Sequence, residues 1–150
     1  MIVYRIADCK YVNDLSGLGA AKYGGRWNSK ETYMVYTAQS ASLALLETVV
    51  HMAALPGRLY CMVTLSVPVD EPQLLTEKDL PPGWQQQPPP DILKVLGDRF
   101  ISAGRQLVLG VPSVIMPEEF NFLLNPHHPD FKHIKIKSMR NLAIDERLLK

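Results

Sequence analysis

Between Gly24 and His51 the chain passes a glycine pair, a short apolar run and an aliphatic stretch broken by one carboxylate. Gly24-Gly25-Arg26-Trp27-Asn28 calls for a turn where backbone approaches closely, and Arg26 can offer a planar, permanently charged fork to a phosphate. The run from Tyr33 to Thr37 reads as a strand with Met34 and Tyr36 on one face. Ser40 caps a helix that the spacing of Ala41, Leu45, Val49, Met52 and Ala53 carries to about Leu55, where Pro56-Gly57 ends it. Glu47 therefore lies among aliphatic residues, where an unpaired charge is costly. Turn, strand and helix in this order suggest a site that handles a phosphate-bearing substrate and a developing positive charge.

The rest of the chain predicts one α+β domain spanning residues 1–150, with a mixed, mostly antiparallel sheet. Ile2 to Ile6 is a first strand, and Leu59 to Val67 alternates over the longest one. Leu15 to Gly25 holds four of the nine glycines and reads as an irregular, close-approach segment. From Pro68 the chain turns rich in proline and glutamine, and residues 81–90 read as a surface excursion of the same domain. Asp91 is expected to cap a helix through Ser102 with Ile92, Val95, Leu96 and Phe100 inward. Short strands are expected at Leu107–Leu109 and Ser113–Met116, a helix opened by Pro117 through Phe120 to Leu124, and a last strand at His133–Ile136.

With 150 residues, 47% hydrophobic, and a formal charge of +1, the chain can bury a core and carries no global nucleic-acid signature. No apolar run is long enough for a membrane span. Met1 to Arg5 runs straight into a strand pattern without a signal peptide, so a cytoplasmic protein is expected. Cys9 and Cys61 form no short-spaced framework and fit a reduced protein in which both are packing residues.

There is no GxGxxG after a strand, no GxxxxGK[ST], no HExxH and no GxSxG. Arg26 beside Trp27 is also what a surface arginine packed on an aromatic looks like. Tyr36 suits a core position as well as a ligand platform. Glu47 is either a functional carboxylate or half of an interior pair with His51, four residues on. Ser113 taken alone is a strand-start serine. Asn125-Pro126-His127-His128-Pro129-Asp130 reads as a loop turn without the spaced ligand set a metal requires.

Taken in order, the segments resemble the RES domain of bacterial type II toxin–antitoxin systems. They are Leu18-Gly19-Ala20, Gly25-Arg26-Trp27-Asn28, Val35-Tyr36-Thr37-Ala38, Leu43-Ala44-Leu45-Leu46-Glu47, Val111-Pro112-Ser113 and Asn121 to Phe131. By matching, Arg26, Tyr36, Glu47 and Ser113 take the family's active-site places. The resemblance implies an ADP-ribosyltransferase-like fold and NAD+ as substrate rather than resident cofactor. It implies cleavage of NAD+ by hydrolysis or phosphorolysis that arrests growth; transfer of ADP-ribose to a protein is the alternative, and a non-catalytic nucleotide- or partner-binding module a third. It further implies an Xre-type helix-turn-helix antitoxin as partner; from the residues themselves no metal, membrane or direct nucleic-acid binding by this chain is expected. In that chemistry Arg26 would hold phosphate, Tyr36 stack on nicotinamide, Glu47 face the cationic ribose, and Ser113 orient a ribose or amide group.

Overall fold

The computed structural model describes residues 1–54 and 57–150. Among these residues seven strands form one sheet in the order β4-β5-β6-β2-β1-β3-β7. They are β1 Ile2–Asp8, β2 Val35–Ala38, β3 Tyr60–Ser66, β4 Gln73–Leu74, β5 Val108–Pro112, β6 Phe120–Leu124 and β7 Lys135–Leu142. Only β4 and β5 run parallel; the other pairs are antiparallel, so the expected α+β class with a mixed, mostly antiparallel sheet is found. The helices are α1 Leu18–Tyr23, α2 Ala41–Val49 and α3 Asp91–Ala103.

Strand alternation splits the core between the two faces of the sheet. On one face Val3, Val35, Val63, Leu65, Val108, Phe122 and Leu124 pack together. The other face carries two separate clusters. Leu43 and Ala44 of α2 cover Ala38 and Met62, while Leu93 and Phe100 of α3 cover Leu109, Val111, Leu123, Trp27 and Met34. Between these clusters the sheet loosens. β1 pairs with β3 along its full length, from Ile2↔Ser66 to Asp8↔Tyr60, but meets β2 in register only at Tyr4↔Ala38.

Several elements differ from expectation, each for a local reason. The segment read as irregular contains α1, because Gly17 and Gly24 bracket a short helix instead of interrupting one. The second helix starts at the expected cap, where the Ser40 hydroxyl accepts from the Leu43 N–H at 3.1 Å, but it closes at Val49. Its β-branched Thr48-Val49-Val50 run is poor helix material; Leu55 and Pro56, where its end was expected, lie outside the described residues. Ser113–Met116 is a turn, and the helix expected from Pro117 is strand β6. Phe120, Phe122 and Leu124 share one face at a period of two, and the two phenyl rings stack at 6.4 Å.

α3 begins one residue beyond its cap at Pro90, and Asp91 is its first turn. Its buried face is Leu93, Gly97 and Phe100, leaving Ile92 and Val95 exposed. Gly97 turns the helix because a Cβ there would lie 1.6 Å from the Trp27 carbonyl oxygen. The last strand starts at Lys135 and runs to Leu142, an exposed sheet edge whose lysines discourage further pairing. Cys9 and Cys61 are joined in a disulfide, contrary to the reduced pair expected. Pairing of β1 with β3 places Ala7 opposite Cys61, and Cys9, just beyond β1, comes within 5.1 Å of Cys61 between Cα atoms.

Candidate active site

A cleft of about 900 Å³ opens where β1 and β2 part. Consecutive residues of both strands border it, Tyr4 to Ile6 and Val35 to Ala38, as separation of the strands requires. Glu47 and His51 come from the α2 side, Gly24 to Trp27 from the turn after α1, and Gln87, Pro89 and Lys94 from the approach to α3. Arg26, Tyr36 and Glu47 therefore share one cavity.

Glu47 is held by two donors on a single oxygen. Its Oε1 accepts from the Ser113 hydroxyl at 2.7 Å and from the Asn121 amide at 2.6 Å. Ser113 is wholly buried, and its Oγ in turn accepts from the Ile115 and Met116 N–H groups at 3.1 Å each. The turn after β5 thus fixes the serine and the serine fixes the carboxylate. Ser113 itself presents no surface to the cleft and reaches the site only by its hydrogen bond to Glu47. Asn121, on β6, was missed: reading that stretch as a helix concealed the alternation that aims it at Glu47. His51 stands exposed at the rim, and the interior pair with Glu47 is not formed.

Arg26 is anchored from an unexpected quarter. Its Nη1 donates to the carbonyls of Trp84 at 2.9 Å and Gln86 at 3.2 Å. The proline- and glutamine-rich segment read as a surface excursion is therefore a wall of the site. It is pinned there by Leu80 and Trp84, which are buried beneath α3. Burial lowers the pKa of the Arg26 guanidinium, and the nearby Glu47 and Tyr36 oppose that shift. With two carbonyls on one terminal nitrogen, the remaining N–H groups of the fork keep their freedom to donate.

Tyr36 closes the turn. Its hydroxyl accepts from the Trp27 N–H at 3.1 Å and donates to Asn28 Oδ1 at 2.7 Å. Burial pushes its phenol pKa far above the usual range. Asn28, fully buried, donates in addition to the carbonyls of Ala20, Ser29 and Thr32. A side chain at Gly25 would meet the Tyr36 hydroxyl at 2.7 Å, which accounts for glycine immediately before the arginine. Away from the cleft, His127 packs edge-on to Tyr33 at 5.6 Å, and His128 Nδ1 accepts from the Asp130 N–H at 3.1 Å. No group of His, Cys, Asp or Glu side chains among the described residues is arranged to hold a metal ion.

An α+β domain whose split sheet gathers arginine, tyrosine and a serine-braced glutamate into one cleft defines a recognisable class. The RES domain model matches residues 2–147, and the chain belongs to that family. It is 41% identical over 143 residues to the Prs ADP-ribosylating toxin of Sphingobium sp. strain YBL2, covering 92% of this chain and 88% of that one. It is 36% identical to Toxin Res of Photorhabdus laumondii, covering 100% and 98%. The fold resembles a chain in the crystal structure of the M. tuberculosis MbcT-MbcA toxin-antitoxin complex, with a TM-score of 0.76 and 18% identity over 95% of this chain and 84% of that one. No helix among the described residues is long and apolar enough to cross a membrane.

Proposed function

We propose that this chain is the toxin of a toxin–antitoxin pair and that it cleaves NAD+ at the nicotinamide–ribose bond. The observation that carries the reading is the one-sided bracing of Glu47. Both donors sit on Oε1, and Oε2 has no protein partner among the described residues. When the C–N bond breaks, its electron pair leaves with nicotinamide, and the ribose becomes an oxocarbenium-like cation. A carboxylate already fixed beside that cation stabilises it without reorganising during the step. Arg26 holds a phosphate oxygen through its remaining N–H groups, and the Tyr36 ring stacks on nicotinamide. Water then attacks the ribose carbon and releases its proton to solvent, or inorganic phosphate attacks the same carbon through an anionic oxygen. NAD+ is consumed as substrate, and no resident cofactor takes part.

Purified protein incubated with NAD+ alone, and with added inorganic phosphate, tests this reading. Nicotinamide release in the absence of any acceptor protein is the expected result. No release without an acceptor, but release together with label from the adenine moiety on an added protein, would overturn it. That second outcome is the transferase reading, favoured by the name of the Sphingobium relative. The partner proposed is an Xre-type antitoxin that blocks the cleft. Expression of this chain alone should stop bacterial growth and lower cellular NAD+, and co-expression of the antitoxin should restore both.

A further inference from the structure

We propose that Lys94 is a second phosphate-binding side chain of this cleft, acting with Arg26 on the diphosphate of a dinucleotide. The assignment rests on the NAD+ reading and adds to it the residue that would hold the other phosphate. Its first support is position. α3 lies directly on the turn that carries Arg26: Gly97 touches the Trp27 carbonyl, and Asp98 accepts from the Ser29 N–H at 2.9 Å. Lys94 precedes these residues by three and four positions and so projects from the same side of the helix. Helical side chains lean toward the N-terminus, which carries the Lys94 stem toward the segment whose carbonyls hold Arg26. Lys94 and Arg26 border the same cavity, with Gln87 and Pro89 of that segment.

Charge supplies the second support. Arg5, Arg26 and Lys94 are the cations bordering the cleft by side-chain type, and Asp14 and Glu47 the carboxylates. Arg5 Nη1 donates to the Asp14 carbonyl at 2.8 Å, and Arg26 Nη1 to those of Trp84 and Gln86, so both guanidinium groups are held by backbone oxygens. Lys94 is half-buried yet makes no ion pair or hydrogen bond among the described residues. A lysine whose stem is partly covered at the cleft wall and whose ammonium has no protein counter-charge among the described residues suits an anionic ligand. A diphosphate carries two negative charges, one for the planar Arg26 fork and one for a flexible point charge such as lysine.

Titration calorimetry with ADP-ribose, and separately with inorganic phosphate, tests the assignment on wild type, Lys94→Met and Lys94→Arg in a phosphate-free buffer. Lys94→Met should bind ADP-ribose about ten- to a hundredfold more weakly, as loss of a charge-assisted contact implies. Lys94→Arg should recover most of that loss. Melting temperatures verify that each variant folds, and Lys94→Gln replaces any that does not. Unchanged ADP-ribose affinity in a variant that still cleaves NAD+ would overturn the assignment while leaving the NAD+ reading intact. Weakened phosphate binding with unchanged ADP-ribose binding would also overturn it, moving Lys94 to an attacking phosphate. A wild-type protein that binds no ADP-ribose would overturn the assignment, and one that also releases no nicotinamide from NAD+ would overturn both.

Discussion

Glu47 takes two short hydrogen bonds on one oxygen, so its contributions to stability and to chemistry can be separated. In Glu47→Gln the amide oxygen can still accept from Ser113 and Asn121, while the negative charge disappears. The variant should melt within a few degrees of wild type and lose turnover by on the order of a hundredfold or more. NAD+ cleavage beside a melting curve checks this, and near-normal turnover in a folded variant removes Glu47 from the chemistry. Arg26→Lys probes the fork. A lysine can stay on the Trp84 and Gln86 carbonyls or reach outward to a phosphate, but it has one nitrogen for both tasks. The KM for NAD+ should rise about tenfold or more at unchanged net charge; equal KM values would make Arg26 a structural brace only. Arg26, Tyr36 and Glu47 were legible because they lie close together in short segments whose order carries meaning. What Ser113 does was not legible: its bond to Glu47 spans 66 positions and depends on where β5 ends.

Among the elements, α3 is set by a contact that periodicity does not register. A scan for apolar residues counts Gly97 as a gap, yet there the helix comes so near the Trp27 carbonyl that a Cβ would lie 1.6 Å from its oxygen. Gly97→Ala must push the helix and the Trp27 carbonyl apart. Overpacking of this kind costs about 1–3 kcal/mol, or a fall in Tm of roughly 2–12 °C for a chain of this size. It should also weaken substrate binding, since Arg26 and its wall move together. Differential scanning calorimetry and a KM measurement check both effects; an unchanged Tm would mean that the helix shifts freely. The same blindness explains β6. Pro117-Glu118-Glu119 has the chemistry of a helix start, but which face of Phe120–Leu124 is buried is decided by β5 and β2 on either side. β1 and β3 were legible because their alternation is their own.

At the scale of the whole molecule, the disulfide ties the end of β1 to the start of β3, 52 positions apart. Nothing in that spacing marks a pair; only the register of two strands does. Closing a loop of this length restricts the unfolded chain by about 2–4 kcal/mol, so a reducing agent or Cys61→Ser should lower the Tm by roughly 4–16 °C. A melt with and without reductant measures it, and coincident curves would show that the bond adds nothing to stability. Glu47 has a further consequence, for biosynthesis. Its two donors stand 66 and 74 positions later in the chain. On the ribosome, a nascent chain that already carries Arg26, Tyr36 and Glu47 has nothing to orient the carboxylate until the residues of β5 and β6 have emerged. A transcript cut before the codon for Ser113 should therefore yield harmless fragments, and translation itself opens an interval in which a partner can meet the chain before Glu47 is set.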